Sequence, residues 1–277
     1  MSDTVLSNTP GGNAGSSRSK TPWIIGGVIV VILAALVIWL VAKGGDDDKA
    51  GSGSSKLVVA TEGTYAPFSY QENGKLTGYD IDVAKAVAKK AGLTFTFKQT
   101  QWDSIFAGID AGRFDAVANE VTINDDRTAK YLMSTPYSVS TGVLVVAKDN
   151  TDITSFDDIK GHTAAQSLTS NWADEAKKAG AKIQPVNEWA LAADAIATGR
   201  VDLAVNDKLA VLDYLKKNPD ANIKIVATSP ETMEQAFLLR KGKEADLEKI
   251  NTALDALKSD GTLASIGEKY FGEDISK

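Results

Sequence analysis

The polar and aromatic residues of this 277-residue chain fall into a few short groups whose chemistry can be read together. The stretch Asn119-Glu120-Val121-Thr122-Ile123-Asn124-Asp125-Asp126-Arg127 ends in a guanidinium at a helix start. An Arg behind paired acids is ordinarily a solvated surface group. Turned into a cleft, its planar fork would take a carboxylate bidentately, as a lysine would not. Leu168-Thr169-Ser170-Asn171 follows a strand pattern and opens a helix, so its free backbone N–H groups would suit the same anion, alongside ordinary N-capping by Thr169 or Ser170. Asp207 offers a partner for an ammonium group. Glu62-Gly63-Thr64-Tyr65-Ala66-Pro67-Phe68-Ser69-Tyr70 sets two aromatic rings around a proline, either as the wall of a small apolar slot or as a cap on the core. An anion site, a cation site and aromatic walls together would hold a zwitterionic amino acid.

Composition removes most competing chemistries. The chain has no cysteine, which excludes disulfides, thiolate nucleophiles and Cys-ligated metal, and its one histidine, His162, cannot make a His-rich metal site. Net charge is −6, against the basic stripe a nucleic-acid binder needs. No metal, cofactor or catalytic residue is expected.

The elements that would position these groups alternate between strand and helix. Leu57–Thr61 reads as a buried strand; Ile81, Ala84, Ala88 and Ala91 share a helical face stopped by Gly92; Leu93–Lys98 alternates at period two. Trp102, Ile105, Phe106 and Ile109 repeat at helical spacing up to Gly112. This pattern predicts an α/β fold with a mostly parallel sheet. Two stretches 87 residues apart then coincide without a gap: Trp102, Ile109, Gly112, Arg113, Asp115 and Asn119 match Trp189, Ile196, Gly199, Arg200, Asp202 and Asn206, and an acid follows each Asn. Helix–Gly–strand units often look alike, but the match predicts two lobes of like design. Ligands of open α/β sheets lie outside the strand ends, so a cleft between Asn119, Glu120, Asn206 and Asp207 is expected.

The N-terminal region reads separately. Residues 1–22 are Ser/Gly/Asn-rich and expected to be a disordered cytoplasmic tail. From Trp23 to Ala42 run twenty residues without a charge, enough for a helix of ~30 Å and so for one bilayer span. Its length and poor cleavage site predict an uncleaved anchor rather than a removed signal peptide. Residues 43–55 read as a flexible linker, and the flanking charges favour a body outside the membrane. Four basic and four acidic groups cancel in the first 55 residues, which leaves the −6 on the body.

At these residues the chain resembles the polar amino-acid solute-binding proteins of ABC transporters, and the cystine-binding branch in particular. The motifs are Glu62-Gly-Thr-Tyr65-Ala-Pro-Phe68, Leu76-Thr-Gly-Tyr-Asp-Ile-Asp82, Gln101-Trp102-Asp103, Val121-Thr-Ile-Asn-Asp-Asp-Arg127, Ser134-Thr-Pro-Tyr137 and Asp260-Gly-Thr-Leu263 with Glu268-Lys-Tyr-Phe-Gly272. The resemblance implies a two-lobed clamp of the type II periplasmic-binding-protein kind, with lobe 1 at 56–139 plus 236–277 and lobe 2 at 140–235. It implies that Arg127 grips the ligand carboxylate with the Thr122 and Asn171 amides, and that Asp207 takes the ammonium with the Asn119 carbonyl. Tyr65 and Trp102 would sandwich the side chain, Phe68 would back them, and Glu62 and Ser167 would touch the far end. Thr169-Ser170-Asn171 departs from the usual Gly-Thr pair, and Glu120 stands where the cystine branch often has Gln. The partners implied are a membrane permease with its cytoplasmic ATPase, with the body a monomer. A cyclohexadienyl (prephenate/arogenate) dehydratase and a ligand-sensing receptor subunit use the same fold and are the rival readings.

Overall fold

The computed structural model describes residues 55–277. The predicted tail, the span 23–42 and all of the linker but Ser55 lie outside these residues; among the described residues no helix is long and apolar enough to cross a membrane.

Strand β1 (Lys56–Thr61) opens the body and is followed by a small antiparallel meander, β2 (Thr64–Tyr65), β3 (Ser69–Glu72) and β4 (Lys75–Thr77). Helix α1 (Tyr79–Ala91) carries its apolar residues at helical spacing and ends at Gly92, whose left-handed backbone closes the last turn. Strand β5 (Thr94–Gln99), helix α2 (Trp102–Asp110) and strand β6 (Ala116–Thr122) complete a parallel set in which β1 lies between β5 and β6. A short helix α3 (Asp125–Lys130) and strand β7 (Leu132–Met133) lead to the long strand β8 (Ser138–Ala147).

The chain then builds a second parallel set: β9 (Thr163–Gln166), α4 (Asn171–Lys178), β10 (Lys182–Pro185), α5 (Trp189–Ala197) and β11 (Leu203–Asp207), with β9 between β10 and β11. Helix α6 (Lys208–Lys217) precedes the seventeen-residue strand β12 (Ile223–Leu239), and α7 (Glu244–Ser259) and α8 (Thr262–Phe271) return to the first set.

Two lobes result, joined through β8 and β12. The first half of β12 pairs with β8 inside the second lobe, and its last residues pair with β6 in the first. Between them the register breaks after Thr228 and resumes with Thr232 opposite Thr141, Met233 opposite Ser140 and Gln235 opposite Ser138. These paired segments form the crossing.

Each lobe has two apolar layers because successive strand residues face opposite ways. Leu57, Val59, Ala116 and Ala118 pack with Val83, Val87, Ile250 and Leu254 of α1 and α7, whereas Ala60, Val117 and Val121 meet Ile105 and Ile109 of α2. In the second lobe Val143 and Val145 face α5 and α6, and Leu144 and Val146 face α4. Each Val, Leu or Ile buried this way contributes about 1.5–3 kcal/mol, which holds each lobe together around its own sheet.

Candidate functional site

The first wall of the cleft is built where β1 ends. Asn119 of β6 accepts from the Thr61 hydroxyl (3.0 Å) and the Glu62 N–H (2.8 Å), and its own Nδ2 donates to Glu62 Oε2 (2.7 Å). The glutamate is thus aimed into the cleft. Burial pushes Glu62 up to about 7, with the neighbouring Glu188 and Asp103 adding to the shift and the Asn119 hydrogen bond opposing it. Beside it Tyr65 stacks on Phe68 with centroids 5.4 Å apart, and Phe68 rests against Phe271 and Tyr79. Tyr65 is therefore a firm wall and Phe68 its backing. The Tyr65 hydroxyl reaches across and donates to Asn206 Oδ1 in the second lobe (2.9 Å).

Arg127 lies at the first turn of α3, which Asn124 caps by accepting the Arg127 N–H at 2.9 Å. Its guanidinium sits 5.5 Å from the Trp102 ring and 5.4 Å from the Phe106 ring. It donates to the Thr122 carbonyl (2.7 Å) and, across the lobes, to the Thr169 carbonyl (3.4 Å). Only 6% of the residue is exposed, and among the described residues no carboxylate forms an ion pair with it. Burial lowers its pKa to about 10, so it remains a cation at neutral pH. A buried cation without a counter-ion is costly unless a ligand supplies one.

The second wall comes from the loop before α4 and from α5. Ser170 caps α4 through the Ala173 N–H (3.1 Å), and Ser167 donates to the Val186 carbonyl (3.0 Å). The same loop is clasped from the first lobe: the Asp103 carboxylate accepts from Leu168 N–H (3.1 Å), Thr169 N–H (2.9 Å) and the Thr169 hydroxyl (2.7 Å).

Three carboxyls lie at the base. Asp207 caps α6 through the Leu209 N–H (2.7 Å) and also accepts from the Ser140 hydroxyl; burial pushes it up to about 6 against those hydrogen bonds. Glu120 accepts from the Ser138 hydroxyl at 2.8 Å, and Asp80 from the Tyr137 hydroxyl at 2.8 Å. Burial raises both acids, Glu120 further because the Asp80 and Asp207 carboxylates face it. Glu120 also holds a left-handed backbone, φ 50°, which costs an L-residue about 1–2 kcal/mol.

A cavity of about 70 Å³ lies between the walls. Of the residues expected at a ligand, Glu62, Tyr65, Trp102, Asn119 and Glu120 line it from the first lobe and Ser167, Ser170 and Asn171 from the second. Phe68 lies one layer behind. Thr122, Arg127 and Thr169 gather at the edge beside Trp102, and Asp207 lies beneath the lining residue Asn206. Residues not singled out as ligand contacts also line the space: Trp172, Glu188 and Trp189. Trp189 was signalled by its equivalence to Trp102 in the repeat, whereas Trp172 and Glu188 had no signal.

Comparison with known proteins agrees with this geometry. A family model described as bacterial extracellular solute-binding proteins, family 3, matches residues 57–273. The L-cystine-binding protein TcyA of Bacillus subtilis is 50% identical over 223 residues, 80% of this chain and 83% of that protein. A probable amino-acid ABC transporter-binding protein of Haemophilus influenzae is 46% identical, covering 80% and 86%. Among solved structures, the L-cystine solute receptor of Neisseria gonorrhoeae in its unliganded open conformation is 49% identical with a TM-score of 0.55, covering 82% and 97%. An ancestral arginine-binding protein bound to arginine is 39% identical yet scores 0.74, covering 79% and 99%. The lower score at the higher identity fits a difference in lobe angle, since lobe-to-lobe bonds from Tyr65, Asp103 and Arg127 close the cleft here.

Proposed function

The chain belongs to family 3 of the bacterial extracellular solute-binding proteins, and from that premise we propose that it is the receptor of an amino-acid ABC importer, binding a zwitterionic polar amino acid between its lobes. Cystine is the first candidate ligand, and glutamine or another polar amino acid the next. The observation that carries the reading is Arg127: a buried guanidinium with no carboxylate partner among the described residues, bonded to a carbonyl of each lobe. The ligand carboxylate is its missing counter-ion, with the Thr122 and Asn171 amides as further donors. Asp207 takes the ammonium with the Asn119 carbonyl, Tyr65 and Trp102 flank the side chain with Phe68 behind, and Glu62 and Ser167 meet its far end. The relatives named for cystine binding support the choice of ligand.

A ligand touching both lobes binds the closed form better than the open one and so shifts the hinge equilibrium towards closure. The closed form then docks on a membrane permease driven by a cytoplasmic ATPase. The apolar run 23–42 anchors the chain with its body outside the cytoplasmic membrane.

The test is a thermal-shift series on the chain, unfolded and refolded to strip bound ligand, against the amino acids and cystine. Ligand at a hundredfold over its dissociation constant adds ~2.7 kcal/mol. A large shift with one or a few names the substrate; none from a folded sample overturns the zwitterion reading. A second reading rests on the raised carboxyls Glu62 and Glu120, which could serve as general acids. An ancestral amino-acid-binding protein described as a precursor of cyclohexadienyl dehydratase is 34% identical. Turnover of prephenate or arogenate would favour it.

A further inference from the structure

We propose that Asp80 and Glu120 form a carboxyl pair that holds one proton in the empty cleft and releases it when a ligand ammonium enters, which makes Glu120 the positioning residue for the amine end of the ligand. This rests on the reading that an ammonium is bound beside Asp207.

The pair is reached from both lobes through the crossing strands. Tyr137 donates to Asp80, and the Asp80 and Glu120 carboxyls act on each other, Asp80 holding the charged form of Glu120 back. On its other side Glu120 accepts from Ser138, whose Oγ also lies 3.2 Å from Gln235 Oε1; Gln235 Nε2 donates to Ser140 (2.9 Å), and Ser140 donates to Asp207. Ser138 and Ser140 lie on β8 and Gln235 on β12, in the segments that pair at the crossing. A row of polar contacts therefore runs from a lobe-one acid along the crossing to the lobe-two acid.

Among the described residues no cation balances these acids. Facing Glu120 are Asp80 and Tyr79 from α1, Tyr65 from the meander, Tyr137 and Ser138 at the start of β8, Gln235 from β12 and Asp207 at the start of α6; Glu62 stands beyond Tyr65, and Asp274 adds to the field on Tyr79. Among the described residues no Lys, Arg or His forms an ion pair with Asp80, Glu120 or Asp207. One oxygen of Asp80 and one of Glu120 are buried with no hydrogen-bond partner, and one proton held between the two acids satisfies both. Glu120 also lines the cavity, so an ammonium can reach this chain. The exchange balances: one cation enters and one proton leaves for the buffer. Ionisation is favoured by the ligand, so affinity is full above the free-state pKa and falls as pH drops below it, by up to tenfold per pH unit for one proton.

Two measurements on the full chain in detergent test this, with Glu120→Gln and Asp80→Asn as variants. Infrared spectra of ligand-free protein at pH 7 are expected to show protonated carboxyl absorption, part of it from Glu62, that Glu120→Gln reduces. Calorimetric titration with L-cystine, L-glutamine and L-arginine, in buffers of different ionisation enthalpy, is expected to show about one proton released per ligand bound and a smaller release in both variants. Equal protonated-carboxyl absorption in wild type and Glu120→Gln, or equal proton release in the two, overturns the proposal. Failure of every amino acid to bind at any pH overturns the amino-acid reading and the proton exchange with it, and the infrared comparison alone then decides whether the pair holds a proton.

Discussion

The segments Trp102–Glu120 and Trp189–Asp207 take the same path and put the final acid to different uses. Both begin with a nine-residue helix headed by Trp. Both turn at a glycine of φ 68°, Gly112 and Gly199, a conformation in which a side chain would be strained. In both, an Asp caps the neighbouring strand: Asp115 accepts from Val58 N–H at 2.9 Å, and Asp202 from Thr163 N–H at 2.7 Å. Each Trp packs edge-on against one further ring, Phe106 or Tyr214. The copies part at the last residue. After Glu120 comes Val121-Thr122, which continues the strand and pairs with Ala236 and Gln235, so Glu120 is forced into a left-handed bulge and faces Asp80. After Asp207 comes a helix, and the acid becomes its cap. The role of a repeat's last side chain is therefore set by the element that comes next in the chain, strand or helix.

If the two acids have separate roles, neutralising them should have separate effects. The largest change is expected from Arg127→Ala and Asp207→Asn, each weakening ligand binding by about 2 kcal/mol or more, roughly 30-fold, because each leaves a buried ligand charge unpaired. Asn caps a helix about as well as Asp, so Asp207→Asn should fold like wild type. Near-wild-type affinity by calorimetry in either variant would break the assigned pose.

Glu120→Gln is expected to act on pH dependence. The folded-state pKa of Glu120 lies above its ordinary value, so wild-type stability is full below the ordinary carboxylate range and is lost as pH rises through the folded pKa. In urea titrations the wild type should lose up to about 1.4 kcal/mol per pH unit in that window relative to Glu120→Gln. Parallel pH profiles for the two proteins would remove the distinction between Glu120 and Asp207.

Smaller effects test the closure that brings the two segments together. Asp103→Ala frees Leu168 and Thr169 from their clasp and should shift the lobes towards the open form, weakening binding about fivefold, roughly 1 kcal/mol. Small-angle scattering of the ligand-free variant should show a larger radius of gyration, and an unchanged radius would count against the clasp. Tyr65→Phe keeps the aromatic wall and deletes only the bond to Asn206; a loss of about two- to fourfold is expected, within the usual ~0.5–1 kcal/mol for a neutral hydrogen bond. A loss of about tenfold would mean that Tyr65 meets the ligand through its hydroxyl.

Much of the architecture was legible because it is local. The Trp102–Gly112 and Trp189–Gly199 helices arise from 3.6-residue spacing, and strands such as Leu57–Thr61 arise from apolar runs between turns. Alignment of the two copies then pointed to a cleft at Asn119, Glu120, Asn206 and Asp207; the first three line it, and Asp207 does not, being turned to cap the helix that follows. Trp189 needed only the same equivalence carried one step further. Trp172 and Glu188 reach the cleft through the packing of the second lobe, and nothing in their own neighbourhoods announces it.

On its own, the sequence settles the kinds of charge on offer and the elements that carry them, because periodicity, capping and backbone preference act within a few residues. Tertiary contacts alone make Arg127 a buried cation between Trp102 and Phe106 rather than a solvated one, bring Asp80 against Glu120, and close Asp103 on Thr169. Those outcomes depend on strand register and on the angle between the two lobes. Both are set by contacts between residues far apart in the chain, whose free energy no local pattern records.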